Sequence, residues 1–257
     1  MRIVVKVGTS TLAHPGGRLN IRNVEELVKV LADLKNAGNE IILVSSGAIG
    51  MGIGKLNMDR AHIDIPAKQA AAAVGQCELM HTYDTLFLKY SHTVAQILIT
   101  SEDIDDPERR NNFENTMKTL LEFGALPVVN ENDTVATTEI NSVGDNDTLG
   151  AIVAKAIGAD VLVLMSDIDG LFTADPNKDA EARLIETVEE ITEEIRSFAG
   201  GAGSGLGTGG MATKIDAAQM VNESGGDMVI INGNHPEQLY DIVEGRSVGT
   251  VFKGKGK

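Results

Sequence analysis

Along the chain, short apolar runs alternate with longer segments in which apolar residues return every three or four positions, the two periods of buried strands and amphipathic helices. Arg2 to Val7 is the first such run and predicts a buried strand, interrupted by Lys6 just before Gly8-Thr9-Ser10. Ile21, Val24, Leu27, Val28, Leu31 and Leu34 then form one helical stripe, with Asn20 as its cap and Gly38 as its stop. Glu40 to Val44 is a second strand and runs into a turn of small residues, Ser45 to Gly50. Strand, helix and strand at this spacing predict a right-handed crossover between parallel strands.

The alternation continues. A helical segment is expected over Asp64 to Tyr90, starting at Pro66 and alanine-rich from Ala70 to Ala73, where packing rather than chemistry explains the alanines. Val94–Ile99 and Leu126–Val129 read as strands around a helix that opens at Asp106-Pro107 and stops at Gly124. Thr148 to Ala156 and Glu189 to Phe198 read as helices, as do Met211 to Asn222 and Pro236 to Val243. Val161–Met165, Met228–Ile231 and Thr250–Phe252 read as strands, and the Gly/Lys end from Lys253 as a frayed tail. With no internal repeat and no clear linker, the pattern predicts an α/β, three-layer αβα sandwich on one mostly parallel sheet. Residues 1–257 form one domain in this reading, with one pocket in the part up to about 155 and another in the remainder.

Composition narrows the function. The net charge of −15 argues against a nucleic-acid or anionic-membrane surface, which needs a basic footprint. Aromatics make up 4% and Trp is absent, so the core is aliphatic. A single cysteine, Cys77, excludes an intrachain disulfide and fits a reducing cytoplasm. No run reaches membrane-spanning length, and the five histidines are too scattered for a metal site. A cytoplasmic protein is expected.

The candidate chemistry sits where runs end. Seven of the eleven residues from Gly200 to Gly210 are glycine, and the Met211 helix follows at once with Lys214 one turn in. Amide-rich backbone feeding a helix N-terminus can cradle an anion, although glycines alone would equally make a linker. Lys6 stands at the end of the first strand, where ligands of α/β sheets collect. Two polar clusters, Asn130-Glu131-Asn132-Asp133 and Gly144-Asp145-Asn146-Asp147, flank a short excursion and could wall a pocket for a small charged molecule or simply form Asx turns. Asp167, Asp169 and Asp175 could hold Mg²⁺, accept ribose hydroxyls or make turns. Neither GxxxxGK[ST] nor a first-unit GxGxxG is present. Two lysines beside glycine-rich turns, with aspartates and amides between, suffice for phosphoryl transfer, which needs positioning and charge stabilisation. A carboxylate acceptor would already be ionised and need no general base.

These pieces carry a resemblance. VVKVGTS (4–10), VSSGAIGMG (44–52), VVNENDTVAT (128–137), VGDNDTLGA (143–151), SDIDGLFTADP (166–176) and SGLGTGGMATK (204–214) are similar, in order, to the motifs of the amino-acid kinase family. Within it they resemble the branch that phosphorylates the γ-carboxylate of L-glutamate in proline synthesis. The resemblance implies an eight-stranded, mainly parallel sheet with ATP, Mg²⁺ and glutamate at its C-terminal edge. It implies that Lys6 and Lys214 neutralise the transferring phosphoryl group, that Asp147 orients them, and that Gly8 and Gly47 offer backbone N–H groups. Ser46, Asp133 and Asn146 would bind glutamate, with Asp133 facing its ammonium group. Lys6, Ser166, Asp167 and the segment Thr208, Gly209, Gly210, Met211, Ala212, Thr213 and Lys214 would hold the nucleotide. Mg²⁺ is expected through the ATP phosphates, with no metal site made of side chains. A homo-oligomer and transfer of the product to glutamyl phosphate reductase are also implied. Many family members continue into a PUA domain, whereas this sequence stops after SVGTVF (247–252). A sister kinase with another carboxylate or carbamate acceptor, or a non-catalytic amino-acid or nucleotide sensor, are the alternatives.

Overall fold

Both faces of the first strand are buried, and this sets the layering. In a computed structural model that describes residues 1–14, 17–59, 63–136, 146–176, 178–199 and 210–255, the elements alternate as the sequence pattern predicts. They run β1 (Arg2–Val7), α1 (Thr9–Leu12), α2 (Ile21–Asn36), β2 (Glu40–Ser45), α3 (Ala48–Leu56), α4 (Ile65–Leu88), β3 (Val94–Ile99), α5 (Ser101–Asp105) and α6 (Pro107–Glu122). The second half holds β4 (Leu126–Glu131), α7 (Asn146–Ile157), β5 (Val161–Ser166), β6 (Thr187–Val188), α8 (Glu193–Phe198), α9 (Met211–Glu223), β7 (Asp227–Asn232), α10 (Gln238–Val243) and β8 (Thr250–Phe252).

The strands form one eight-stranded sheet in the order β3-β4-β2-β1-β5-β7-β8-β6. Every described pairing is parallel except β7 with β8. Successive side chains of a strand point to opposite faces, so β1 feeds two cores. Ile3, Val5 and Val7 pack toward α2 and α4, while Val4 joins the layer of α6, α7 and α9. Lys6 shares the face of Val4. Burial on both faces is why the middles of β2 and β5 read as continuous apolar runs, and β1 as one broken by Lys6.

Several elements differ from the sequence pattern. The Ser45–Gly50 stretch is a turn only through Gly47; Ala48 onward is helix α3, against α4. A Cβ on Gly52 would lie 1.8 Å from Ala71 O, and one on Gly75 1.8 Å from Ala48 O. Glycine and alanine here are therefore what allows two helices to touch backbone to backbone. The helix expected over Glu189–Phe198 begins only at Glu193, because Thr192 caps it, its side chain accepting from Ile195 N–H. The two-residue β6 left no periodic signal, and β4 extends two residues beyond Val129 to Glu131. Among the described residues, no helix is long and apolar enough to cross a membrane.

Candidate active site

The C-terminal ends of the central parallel strands share one edge of the sheet, and the chemistry converges there. Lys6 is the last-but-one residue of β1 and faces the α7–α9 layer. Room for its stem exists because residue 150 of α7 is glycine: a Cβ there would lie 3.4 Å from Lys6 Cβ. One turn earlier on α7, Asp147 is fully buried, and both carboxylate oxygens are held by ammonium groups. Lys6 Nζ lies 2.5 Å from Oδ1 and Lys214 Nζ donates to Oδ2 at 2.8 Å. Both lysines are themselves buried. Burial alone would raise the Asp147 carboxyl, but the charges and hydrogen bonds of the two lysines outweigh it and hold it below its ordinary value. Two cations and one anion leave this buried cluster with a net positive charge, aimed at the sheet edge.

The residue before Asp147 serves a different partner set. Asn146 Nδ2 donates to Ser46 Oγ at 2.7 Å and to Ser45 O at 3.2 Å, with Asn130 Oδ1 at 3.4 Å. Ser46 N–H donates to Val7 O at 3.2 Å, which ties the β2–α3 turn to β1. That turn needs Gly47, whose φ of 98° is left-handed, and Gly47 caps α3 without a competing side-chain hydrogen bond. Gly8 likewise precedes α1, and a Cβ there would stand 3.9 Å from Lys6 Nζ, so its backbone adjoins the ammonium group. Asp133, just beyond β4, is half-buried, and burial pushes its carboxyl up to about 6. Among the described residues no cation pairs with it.

On the other side of Lys6, Ser166 ends β5 and its Oγ donates to Asp167 Oδ1 at 3.2 Å. Gly210 is the N-cap of α9, and among the described residues no side chain caps the N–H groups of that first turn, which contains Met211, Ala212 and Thr213. Thr213 Oγ1 donates instead to Gly210 O at 2.7 Å. A thirteen-residue helix without a side-chain cap among the described residues, and with a buried lysine one turn in, suits an anionic phosphate. Thr208, Gly209 and the rest of 200–209 lie outside the described residues, as do Gly144, Asp145 and, beyond Ala136, the excursion expected over Thr134 to Ile140. Among the described residues no three carboxylate, thiol or imidazole groups converge as a metal site.

The fold thus brings Lys6, Asp147 and Lys214 into direct contact and sets Ser46 and Asn146 beside them. Residue patterns missed the layer beneath. Asn130 Nδ2 donates to Gln76 Oε1 at 2.9 Å, Asn130 Oδ1 accepts from Glu131 N–H at 2.9 Å, and the buried Tyr83 hydroxyl meets Ser45 Oγ at 2.9 Å. Gln76 and Tyr83 stand seven residues apart on the buried face of α4, a polar pair in a helix that otherwise reads as packing.

A buried pair of lysines sharing one carboxylate at the edge of a parallel sheet suits phosphoryl transfer, and sequence comparison gives the class. The amino acid kinase family model matches residues 1–232, and the chain belongs to that family. Among curated relatives, glutamate 5-kinase of Clostridium acetobutylicum is 54% identical over 256 residues, covering 100% of this chain and 96% of the relative. Glutamate 5-kinase of Clostridium perfringens is 49% identical over 257 residues, covering 99% and 96%. The fold is also that of UMP kinase from Bacillus anthracis, with a TM-score of 0.67 at 15% identity, covering 99% of this chain and 96% of the other. The isopentenyl phosphate kinase of T. acidophilum gives 0.62 at 16%, covering 98% and 100%. The chain is a kinase, using ATP as phosphoryl donor.

Proposed function

We propose that this chain transfers the γ-phosphoryl group of ATP to the γ-carboxylate of L-glutamate, giving γ-glutamyl phosphate and ADP, the first step of proline synthesis. The observation that carries the reading is the division of labour at the start of α7. Asp147 turns to the two lysines, while its neighbour Asn146 turns to Ser45 and Ser46. Donor and acceptor sites are thereby fixed to one rigid element, and Asp133 provides an unmatched carboxylate for the ammonium group of a free amino acid.

In this mechanism one oxygen of the ionised γ-carboxylate attacks the γ-phosphorus and the bond to the β–γ bridging oxygen breaks, so ADP leaves with that electron pair. Lys6 and Lys214 face the charge that spreads over the transferring oxygens, and Asp147 keeps both ammonium groups in place. Gly8 and Gly47 offer backbone N–H groups beside them. Ser166, Asp167 and the start of α9 hold the nucleotide, making residues from about 156 the nucleotide half and those before it the acceptor half. The described donor set fits phosphate oxygens, and Mg²⁺ bound to ATP would supply further neutralisation there. The same proposal takes the protein as a cytoplasmic homo-oligomer, supported by the exposed side of α4 at Ala70, Ala73, Cys77 and Leu88, and as passing its unstable product to glutamyl phosphate reductase.

The test is Mg-ATP turnover with hydroxylamine present, which traps an acyl phosphate as a hydroxamate. L-glutamate is expected to give hydroxamate, and L-aspartate, N-acetyl-L-glutamate and carbamate to give little. Turnover with one of those instead would move the specificity to a sister kinase, and ATP binding without any turnover would make the chain a sensor.

A further inference from the structure

We infer that Gln76, a residue of α4 in the layer beneath the proposed acceptor site, is a positioning residue that sets which end of Asn146 faces the acceptor. A primary amide has a donor end and an acceptor end, and its neighbours decide which way it turns. Gln76 Oε1 accepts from Asn130 Nδ2 at 2.9 Å, so the donor end of Asn130 points to α4. Its acceptor end then meets Glu131 N–H at 2.9 Å and Asn146 Nδ2 at 3.4 Å. Asn146 in turn directs its donors to Asn130, Ser45 and Ser46, and among the described residues no donor meets Asn146 Oδ1. The relay leaves Asn146 presenting an acceptor to the pocket, complementary to an ammonium group and mismatched to an N-acyl oxygen.

A purely structural role explains Gln76 less well. Its Nε2 is buried and has no hydrogen-bond partner among the described residues, which is costly in a residue kept only for packing. Only its oxygen is used, and that oxygen ends in the acceptor site.

The inference rests on the acceptor being free L-glutamate, and the experiment separates the two. Gln76→Met keeps shape, removes the acceptor oxygen and also removes the unpartnered donor; Gln76→Glu keeps an acceptor oxygen. For Gln76→Met, the KM for L-glutamate should rise roughly 3–10-fold, the scale of one such hydrogen bond. Its KM for ATP should stay within about twofold, its preference for L-glutamate over N-acetyl-L-glutamate should narrow, and its thermal midpoint should stay near that of the parent, since one unpartnered buried donor, Gln76 Nε2, is removed and another, Asn130 Nδ2, is left. Gln76→Glu should recover most of the glutamate affinity. Wild-type-like glutamate KM in Gln76→Met, equal losses for ATP and glutamate, or a collapse of stability would each overturn the assignment. If the parent protein itself makes no hydroxamate from L-glutamate, it is the proposed function that fails.

Discussion

Lys6 and Lys214, one on the first strand and one on a helix near the other end of the chain, grip opposite oxygens of the same buried carboxylate, that of Asp147. Neither lysine can leave without changing what the other does. Lys6→Ala and Lys214→Ala should each lower kcat by roughly two or more orders of magnitude, the scale of a lost charge-stabilising donor. Near-normal kcat in both variants, measured with protein shown to be folded, would remove the lysines from the mechanism.

Asp147→Ala should instead act on folding as well. Two buried ammonium groups would lose their shared counter-charge, and breaking a buried ion pair costs about 3–5 kcal/mol. Chemical denaturation of the variant tests this. The sign with pH follows from the lowered Asp147 carboxyl: its stabilisation is present above about pH 4, the ordinary carboxylate range, and is lost as pH falls through its depressed value.

Asp133 behaves in the opposite sense. Its carboxyl is raised to about 6 by burial, so the folded protein holds a proton there that the unfolded chain has released. Between about pH 4 and 6 the ligand-free protein should lose stability as pH rises, by up to about 3 kcal/mol for this site. An ammonium-bearing acceptor favours the ionised form, so glutamate affinity should improve as pH rises through about 6. Asp133→Asn should abolish that inflection, raise KM for glutamate and leave the ligand-free protein no less stable at pH 7. A pH profile of KM with the same inflection in Asp133→Asn would assign it to another group.

Gly75→Ala should be among the most damaging single-methyl changes in the chain. The added Cβ would stand 1.8 Å from Ala48 O, and backbone cannot swing aside as a side chain can. Overpacking commonly costs 1–3 kcal/mol, and here a loss of at least about 3 kcal/mol is expected, with α3 and the Gly47 turn displaced from Ser46. Differential scanning calorimetry and glutamate KM would both register it; an unchanged melting temperature would mean the helices do not touch this closely.

How far the sequence foretold this site depends on the kind of signal each residue leaves. Lys6 was legible as a charge near the end of an apolar run just before glycine, and Lys214 as a charge one turn into a helix that follows a glycine-rich stretch. The sheet was legible because burial on both faces leaves continuous apolar runs. Helix α3 was not, since Gly50, Gly52 and Gly54 look like a turn; only its backbone contact with Ala71 of α4 explains why a helix there needs glycine. Asp147 was one acidic residue among many, and its expected role came from family resemblance; in the structure it contacts both lysines. Gln76 gave no periodic signal at all, because its partner Asn130 is 54 positions away along the chain.

The central claim is that a carboxylate oxygen of glutamate becomes bonded to the phosphorus held by Lys6 and Lys214. It can be read from ³¹P NMR of phosphate released when L-glutamate carrying ¹⁸O in its γ-carboxylate is turned over with Mg-ATP and hydroxylamine. Hydroxylamine attacks the acyl carbon, so phosphate departs with the oxygen that made the attack. Phosphate carrying one ¹⁸O is the predicted result. Phosphate without ¹⁸O, formed at the same rate with or without glutamate, would show that water and not the carboxylate is the acceptor.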